Sequence, residues 1–444
     1  MKKQRNAALF GGVNTEEILA RRLREEGSFV SGFPLLTNDA FTQQCHQVTR
    51  LDDDLLSEKL VQQLRSESYG VINIGPDFMS PIVSKLLRDG GIAHIGATPE
   101  QLEFETDKSL IRSIFPESSE ILPRSFIATD ASPETIRKII KNLNGSFVLK
   151  FVGNYSKKYQ GSPVGRVRFS GETIGDFDEV SEFARNSIAI SGKVIFEEKV
   201  AGKEFSSNYI VDRNGNIFRL GENICFKRRN NGNTGPICDG TGSVTIRNTL
   251  PFISQNDIEF VENRIVRPFC SQIQKITQQP FCAIINLDLM KDEKGKIVLF
   301  EINCREPGGH TMANILSGLG NNLYDTLRAA QNGTLDSITP AFRNQASIVV
   351  SAFPYYFPAG ISEESLISIE VTKTIPENVK MYTGWVDTLE DAPTYRKLRL
   401  RNSPSLLFEC SAPTIDAARS QIYEAINAIV RDQLDYRTDI GISI

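Results

Sequence analysis

The stretch VLFEINCREPGGH, residues 298–310, constrains this chain more than any other. Ile297, Val298, Leu299 and Phe300 read as a buried strand that delivers Glu301 and Asn303 to one face, because strand side chains repeat every second residue. Thirteen residues before Glu301, Asp288 sits in a second strand-like run, AIINLDLM. The KDEKGK between them reads as a hairpin turn, with Gly295 free to take the positive φ such turns use. Antiparallel pairing then puts Asp288, Glu301 and Asn303 on neighbouring rungs. Three oxygen ligands on rigid strands suit Mg2+, a hard ion that keeps some waters and bridges nucleotide phosphates. Arg305 follows, suited to a carboxylate or phosphoryl oxygen. A hairpin with acids on its solvated face is common without any metal, so the reading depends on its company.

Composition narrows the class. A chain of 444 residues can hold two or three domains with real cores, and 40% hydrophobic with 23% charged residues is ordinary for a soluble protein. No apolar run reaches the length of a membrane span, and MKKQRNAALFGG is too short for a signal peptide. A net charge of −4 argues against a general nucleic-acid binder. Seven scattered cysteines (45, 225, 238, 270, 282, 304, 410) lack metal spacing and predict reduced thiols in a cytoplasm. With only His46, His94 and His310, a histidine-rich metal site is excluded.

Along the chain, NAALFGGV, then the helical TEEILARRLREEG, the strand YGVINIG, the helix IVSKLLRDGG and the short strand IAHIG alternate as in a doubly wound parallel sheet. Ligands of such sheets bind at the carboxyl ends of strands, where Gly11-Gly12 and Gly75-Pro76-Asp77 fall. Near residue 107 the pattern changes. Short strands dominate 121–221, interrupted by one helix, SPETIRKIIKNL, with Ser132 and Glu134 in its first turn. A Gly/Asn-rich loop spans 222–245; the helix NDIEFVENRIVRPFCSQIQKI and the opening hairpin follow. After about 335 come ASIVVSAFPYYF, SLLFECSA and a last helix. Three regions result: 1–107, 108–335 and 336–444.

A nucleotide needs more than a metal hairpin. Lys108 opens the middle region, Lys150 ends the strand SFVLK, and a loop with Gly153, Gly161 and Gly165 follows. Such a loop can wrap backbone N–H groups around phosphates, although it lacks P-loop spacing. In VIFEEKVAGKEFS, Glu197 and Glu198 end one strand and Glu204 begins the next. A strand-end backbone can read an adenine edge, and a carboxylate seven residues on can accept ribose hydroxyls. Each feature alone has a surface explanation; the series does not.

The order resembles the ATP-grasp superfamily, in which two small α+β lobes clamp ATP. Within it, FKRRNNGNTGPICDGTG at 226–242 resembles the loop of the glycinamide ribonucleotide synthetase (phosphoribosylamine–glycine ligase) family, which carries Lys-Arg, three residues, Gly-Asp-Thr-Gly-Pro and Gly-Gly-Met-Gly. YGVINIGPD, GIAHIG, ETDKSLIRSIF and the closing DYRTDIG are similar to further family motifs, so the likeness spans the chain. It implies an α/β chain: an N-terminal Rossmann-like parallel-sheet domain, a two-lobed ATP-grasp domain and a small C-terminal α+β domain. It also implies ATP and Mg2+, with Mn2+ able to substitute, and an ADP-forming carboxylate–amine ligase working through an acyl phosphate. By resemblance, Lys108, Lys150 and Gly161 hold phosphates, Glu197 and Glu198 flank adenine, and Glu204 takes the ribose. Asp288, Glu301 and Asn303 bind metal, while Arg305 with Lys227 or Arg228 stabilises the transferring phosphoryl group.

The departures concern substrates. The family's Gly-Gly-Arg-Glu-His is Gly11-Gly12-Val13-Asn14-Thr15 here, its Gly-Pro-acid turn ends in the shorter Asp77, and its aspartate after Gly232 is Asn233. Where the family has Phe-Gly-Asp-Pro-Glu, this chain has Glu306-Pro307-Gly308-Gly309-His310, which resembles ligases acting on other acids. The expectation is a paralogue joining a small carboxylic or amino acid to an amine, with Gly11, Gly12, Asp77, Gly308, Gly309 and His310 in the substrate shell. The alternatives are a true phosphoribosylamine–glycine ligase and a non-catalytic nucleotide-binding regulator. A biotin-dependent carboxylase component shares the lobes, but the GNTGP loop and the DYRTDIG tail speak against it, and no Met-Lys biotin acceptor is evident. The partners expected are small molecules, without nucleic acid or membrane; oligomeric state has no signal.

Overall fold

The computed structural model describes residues 5–36, 38–51, 56–76, 80–116, 120–152, 167–171, 177–238, 240–359, 361–384, 386–401, 406–430 and 433–442. Strands β1 (Asn6–Gly11), β2 (Phe29–Pro34), β3 (Gln47–Val48) and β4 (Val71–Ile74) pair in parallel in the order β3-β2-β1-β4. The chain reverses direction across the sheet between β1 and β4, the kind of crevice where doubly wound sheets take ligands. IAHIG is not a strand: only Ile95 bridges, to Asn73, before Gly96 turns away at φ +150.

Strands β5 (Ser125–Ala128), β6 (Phe147–Phe151), β7 (Val167–Gly171) and β8 (Val194–Glu198) form an antiparallel sheet ordered β5-β8-β6-β7. The helix Pro133–Asn142 covers one face through Ile136 and Ile139, its N-cap being Ser132, which accepts from Thr135 N. A second helix, Phe177–Ser191, shares that cover; the sequence reading had only one. The other face of β6 and β8 presents Lys150 and Glu197 to a cleft.

The floor of the cleft is part of a larger sheet. In chain order its strands are β9 (Gly202–Val211), β10 (Ile217–Cys225), β13 (Gly242–Ile246), β14 (Ala283–Asp292), β15 (Ile297–Asn303), β16 (Ala346–Phe353), β18 (Val379–Tyr382) and β21 (Leu406–Ala412). They lie in the order β15-β14-β9-β10-β13-β16-β21-β18, with β22 (Asp435–Tyr436) added to β16. The intervening β11 (Arg228–Asn230) and β12 (Thr234–Ile237) form a separate ribbon, and β17 (Ser368–Thr372), β19 (Val386–Asp391) and β20 (Tyr395–Leu400) a small sheet. YRKLRLR is thus mostly strand β20. Beneath β14 and β15 the helix Arg267–Thr277 buries Phe269, Cys270 and Ile273 against Leu287, Leu289 and Ile302. This core fixes which face of the hairpin looks into the cleft.

Candidate active site

The β14–β15 hairpin pairs Asp288 with Glu301 and Asn286 with Asn303. Its turn is held by Gly295 at φ +85 and by the Asp292 carboxylate, which accepts from Lys294 N at 2.9 Å and Lys296 N at 2.8 Å. On the other side of β14, Ser206 faces Asp288 and Asn208 faces Asn286. Alternate residues point into the core, so the cleft face of three strands is polar while the opposite face is largely aliphatic and aromatic.

Each acid of the hairpin meets a lysine from elsewhere in the chain. Lys108 Nζ lies 2.6 Å from Glu301 Oε1. Lys227 Nζ lies 2.9 Å from Asp288 Oδ2 and 2.6 Å from Glu204 Oε1. Burial pushes the Asp288 carboxyl up, but Lys227 and the hydroxyl of Ser206, 3.0 Å away, outweigh it and hold the acid below its usual range. Lys227 responds in kind: burial opposes its charge, and Asp288 and Glu204 raise it well above an ordinary lysine. Lys150 donates to Phe300 O at 3.0 Å and pairs with Glu197, which also receives Arg112 at 2.9 Å. Lys108, Lys150 and Lys227 thus all contact the β14–β15 hairpin.

The donor set suits a hard cation. Two carboxylates face each other across a rung, and Asn303 spends its amide nitrogen on Asn286 Oδ1 at 3.1 Å, leaving its carbonyl oxygen for a metal. Among the described residues no three His, Cys, Asp or Glu side chains converge as a self-sufficient metal cluster. Two acids and an amide make a partial shell, of the kind that nucleotide phosphates and water complete.

Arg305 is held by Glu105, a fully buried acid on the helix Pro99–Thr106 that the sequence reading did not single out. Its Oε1 accepts from Arg305 Nε at 3.0 Å and its Oε2 from Cys304 N at 3.2 Å. Of the two basic loop residues, Lys227 reaches the hairpin, whereas Arg228 turns to Gly235 O at 2.8 Å and braces its own ribbon. Glu198 is half-exposed beside Arg124. It lines a cavity of about 830 Å3 at the hinge, with Lys199, Val200, Ser125 and Val298; Lys108, Lys150, Glu204, Asp288 and Glu301 lie outside its walls. Gly161 lies outside the described residues.

The residues that depart from the family pattern meet in space. Thr15 Oγ1 donates to Pro307 O at 3.0 Å, and a Cβ on Gly309 would come within 2.6 Å of Asn14. His310 is buried, with its Nε2 3.0 Å from Cys225 Sγ, and packs so closely on Gly240 (φ +106) that a Cβ there would lie 2.3 Å from the ring. Glu306 accepts from Asn73 Nδ2 at 2.7 Å, and burial pushes its carboxyl up to about 7. In the crevice between β1 and β4, Glu16 folds back so that its Oε2 accepts from Gly12 N at 3.2 Å and Val13 N at 2.7 Å. A Cβ on Gly11 or Gly75 would collide with that carboxylate. The first helix thus caps itself with an acid where an anion could otherwise bind. Asp77 lies outside the described residues.

The ribbon and the tail motif grip each other. Buried Arg437 donates to Arg228 O at 3.0 Å and pairs with Asp439 at 2.7 Å. Asp439 in turn accepts from Gly232 N at 2.8 Å, and Asn231 exchanges hydrogen bonds with Thr438. Residues 119–309 match the family model described as the phosphoribosylglycinamide synthetase ATP-grasp (A) domain. The chain is an ATP-grasp ligase. A phosphoribosylamine–glycine ligase of Methanoregula boonei is 28% identical over 83% of this ATP-grasp chain and 80% of its own length. That of Pyrococcus horikoshii is 26% identical over 86% and 83%. In fold, it is similar to a phosphoribosylamine–glycine ligase of Thermotoga maritima (TM-score 0.76, 17% identity, 98% of this chain and 99% of that one). It is also similar to the biotin carboxylase domain of Hydrogenobacter thermophilus 2-oxoglutarate carboxylase, solved with MgADP and bicarbonate (TM-score 0.66, 15% identity, 97% and 91%). Among the described residues no helix is long and apolar enough to cross a membrane.

Proposed function

We propose that this protein is an ADP-forming carboxylate–amine ligase of the cytoplasm. ATP phosphorylates a small carboxylic or amino acid, and an amine displaces phosphate from the acyl phosphate. The observation that carries the reading is the pairing of Lys108 with Glu301 and Lys227 with Asp288 across one hairpin rung. Such a site neutralises phosphoryl charge with preorganised groups, which is most of what phosphoryl transfer asks of a protein. Lys108 and Lys150 hold phosphate oxygens, Glu204 the ribose, and Glu197 and Glu198 the adenine end. Asp288, Glu301 and Asn303 would hold Mg2+ or Mn2+, which supplies charge neutralisation when bound. Arg305, aimed by Glu105, steadies the transferring group. This retained set argues against a non-catalytic regulator.

The relatives' names support glycine and phosphoribosylamine as the substrates, more specifically than they support a general ligase. A second reading, with a different amine, is favoured by Glu16, whose carboxylate fills the crevice at the first turn. The test is ADP release with ATP, Mg2+, glycine and freshly generated phosphoribosylamine, the products being identified by mass spectrometry. Glycinamide ribonucleotide supports the narrower reading. ADP released only with another amine supports the second. Absence of ADP release across acids and amines, from protein that binds Mg·ATP, overturns the ligase assignment.

A further inference from the structure

A buried line of polar side chains runs across neighbouring strands, from Asn303 on the hairpin to Ser347 on β16. Asn303 Nδ2 donates to Asn286 Oδ1 (3.1 Å), Asn286 Nδ2 to Asn208 Oδ1 (2.9 Å), and Asn208 Nδ2 to Asn223 Oδ1 (2.9 Å). Asn223 Nδ2 donates to Ser243 Oγ (2.9 Å), Ser243 Oγ to Asn314 Oδ1 (3.1 Å), and Asn314 Nδ2 to Ser347 O (2.9 Å). Asn208 and Asn223 are fully buried, and Asn286 and Asn303 are nearly so. Every bond points the same way. A primary amide can be turned over, but two members of this line also donate to main-chain carbonyls, which only accept: Asn208 to Gly221 O at 3.0 Å and Asn314 to Ser347 O. Those carbonyls fix the sense of the neighbouring amides, and the sense passes along the line. Turning Asn208 or Asn286 over sets nitrogen against nitrogen and oxygen against oxygen on its two sides.

We infer that Asn208 and Asn286 are positioning residues that lock the Asn303 amide with its carbonyl oxygen toward the metal. The inference rests on the metal role proposed for Asn303. Groups that orient a metal ligand typically carry about ten- to a hundredfold in metal affinity. The line also passes through Thr311, which accepts from Asn223 at 3.3 Å, on the helix Gly309–Gly318 that begins at the substrate loop.

The test is Mn2+ binding to the ADP complex, read by electron paramagnetic resonance without turnover. Asn208→Ala is expected to weaken Mn2+ about tenfold while ADP affinity without metal stays the same. Asn303→Asp supplies a carboxylate that has no wrong way round, yet meets the locked Asn286 oxygen. Removing Asn208 in that background frees Asn286 to turn its nitrogen to Asp, so the same change is expected to leave Mn2+ affinity unchanged or raise it. A merely structural role gives the same loss in both backgrounds, and that result overturns the inference, as does an Mn2+ affinity within twofold of wild type in folded Asn208→Ala. Asn208→Ser, which keeps a hydroxyl near Gly221, substitutes if the alanine variant does not fold. Glu301→Gln is the control for the underlying reading: if it too leaves Mn2+ binding intact, the metal site itself is misplaced.

Discussion

Lys227 occupies the place where a divalent cation would do similar work, and the two should compete. Its ammonium lies 2.9 Å from Asp288 and 2.6 Å from Glu204. A unit pair at such a distance is worth about 6 kcal/mol at an effective dielectric of ~20. A third of Lys227 is in water, and screening brings its hold on Asp288 down to about 2 kcal/mol. Metal that takes Asp288 must displace that hold. Lys227→Met should therefore tighten Mn2+ binding to the nucleotide-free protein roughly thirtyfold, the equivalent of about 2 kcal/mol. ADP formation should nevertheless slow, because the variant lacks a cation for the transferring phosphoryl group. Titration of Mn2+ by paramagnetic resonance, alongside steady-state ADP release, measures both. An Mn2+ affinity equal to wild type would refute the competition. A weaker one would mean that Lys227 gathers the two acids instead of standing in for the metal.

Other outcomes can be stated briefly. Glu105→Gln should lower kcat more than it raises the KM for ATP. It should also cost about 2 kcal/mol of stability, less than a fully enclosed pair because Arg305 is 22% exposed. A folded variant with unchanged kcat would show that Arg305 does not need this acid. Glu17 is buried where its carboxylate accepts from Thr383 N and Gly384 N, each at 3.2 Å; burial outweighs those bonds and raises it from an ordinary 4.5 to about 7. The folded form thus holds this proton more tightly, so the contribution to stability is full below pH 4.5 and is lost as pH rises through 7. In Glu17→Gln the fall in urea midpoint between these values should be smaller by the equivalent of about 3 kcal/mol. The same slope as wild type would mean that Glu17 ionises freely.

The hairpin was legible because period-two apolar residues, a Gly295 turn and acids on one face all agree, and local agreement survives folding. Lys150 at a strand end was legible for the same reason. The helix Phe177–Ser191 was missed because its buried positions include Ser181, Ala184 and Ser187, which write only a faint apolar stripe. IAHIG reads as apolar yet has one bridging residue, since Gly96 ends the pairing at once. Glu105 and Arg305 are 200 residues apart, and no spacing rule joins them. Glu16, by contrast, was open to reading: an acid three residues after a helix N-cap is the signature of a chain capping itself.

The sheet that carries the β14–β15 hairpin at one edge has its middle built from distant sequence. Strand β13 is paired along all five of its residues, Gly242–Ile246, with β16. A fragment cut after the last helix before residue 335 would leave that ladder open, and an unpaired flat edge invites pairing with another copy. The nucleotide-binding unit is therefore not portable on its own. A chimera that exchanges it between relatives has to carry Ala346–Phe353 along, or bring a strand that can take its place.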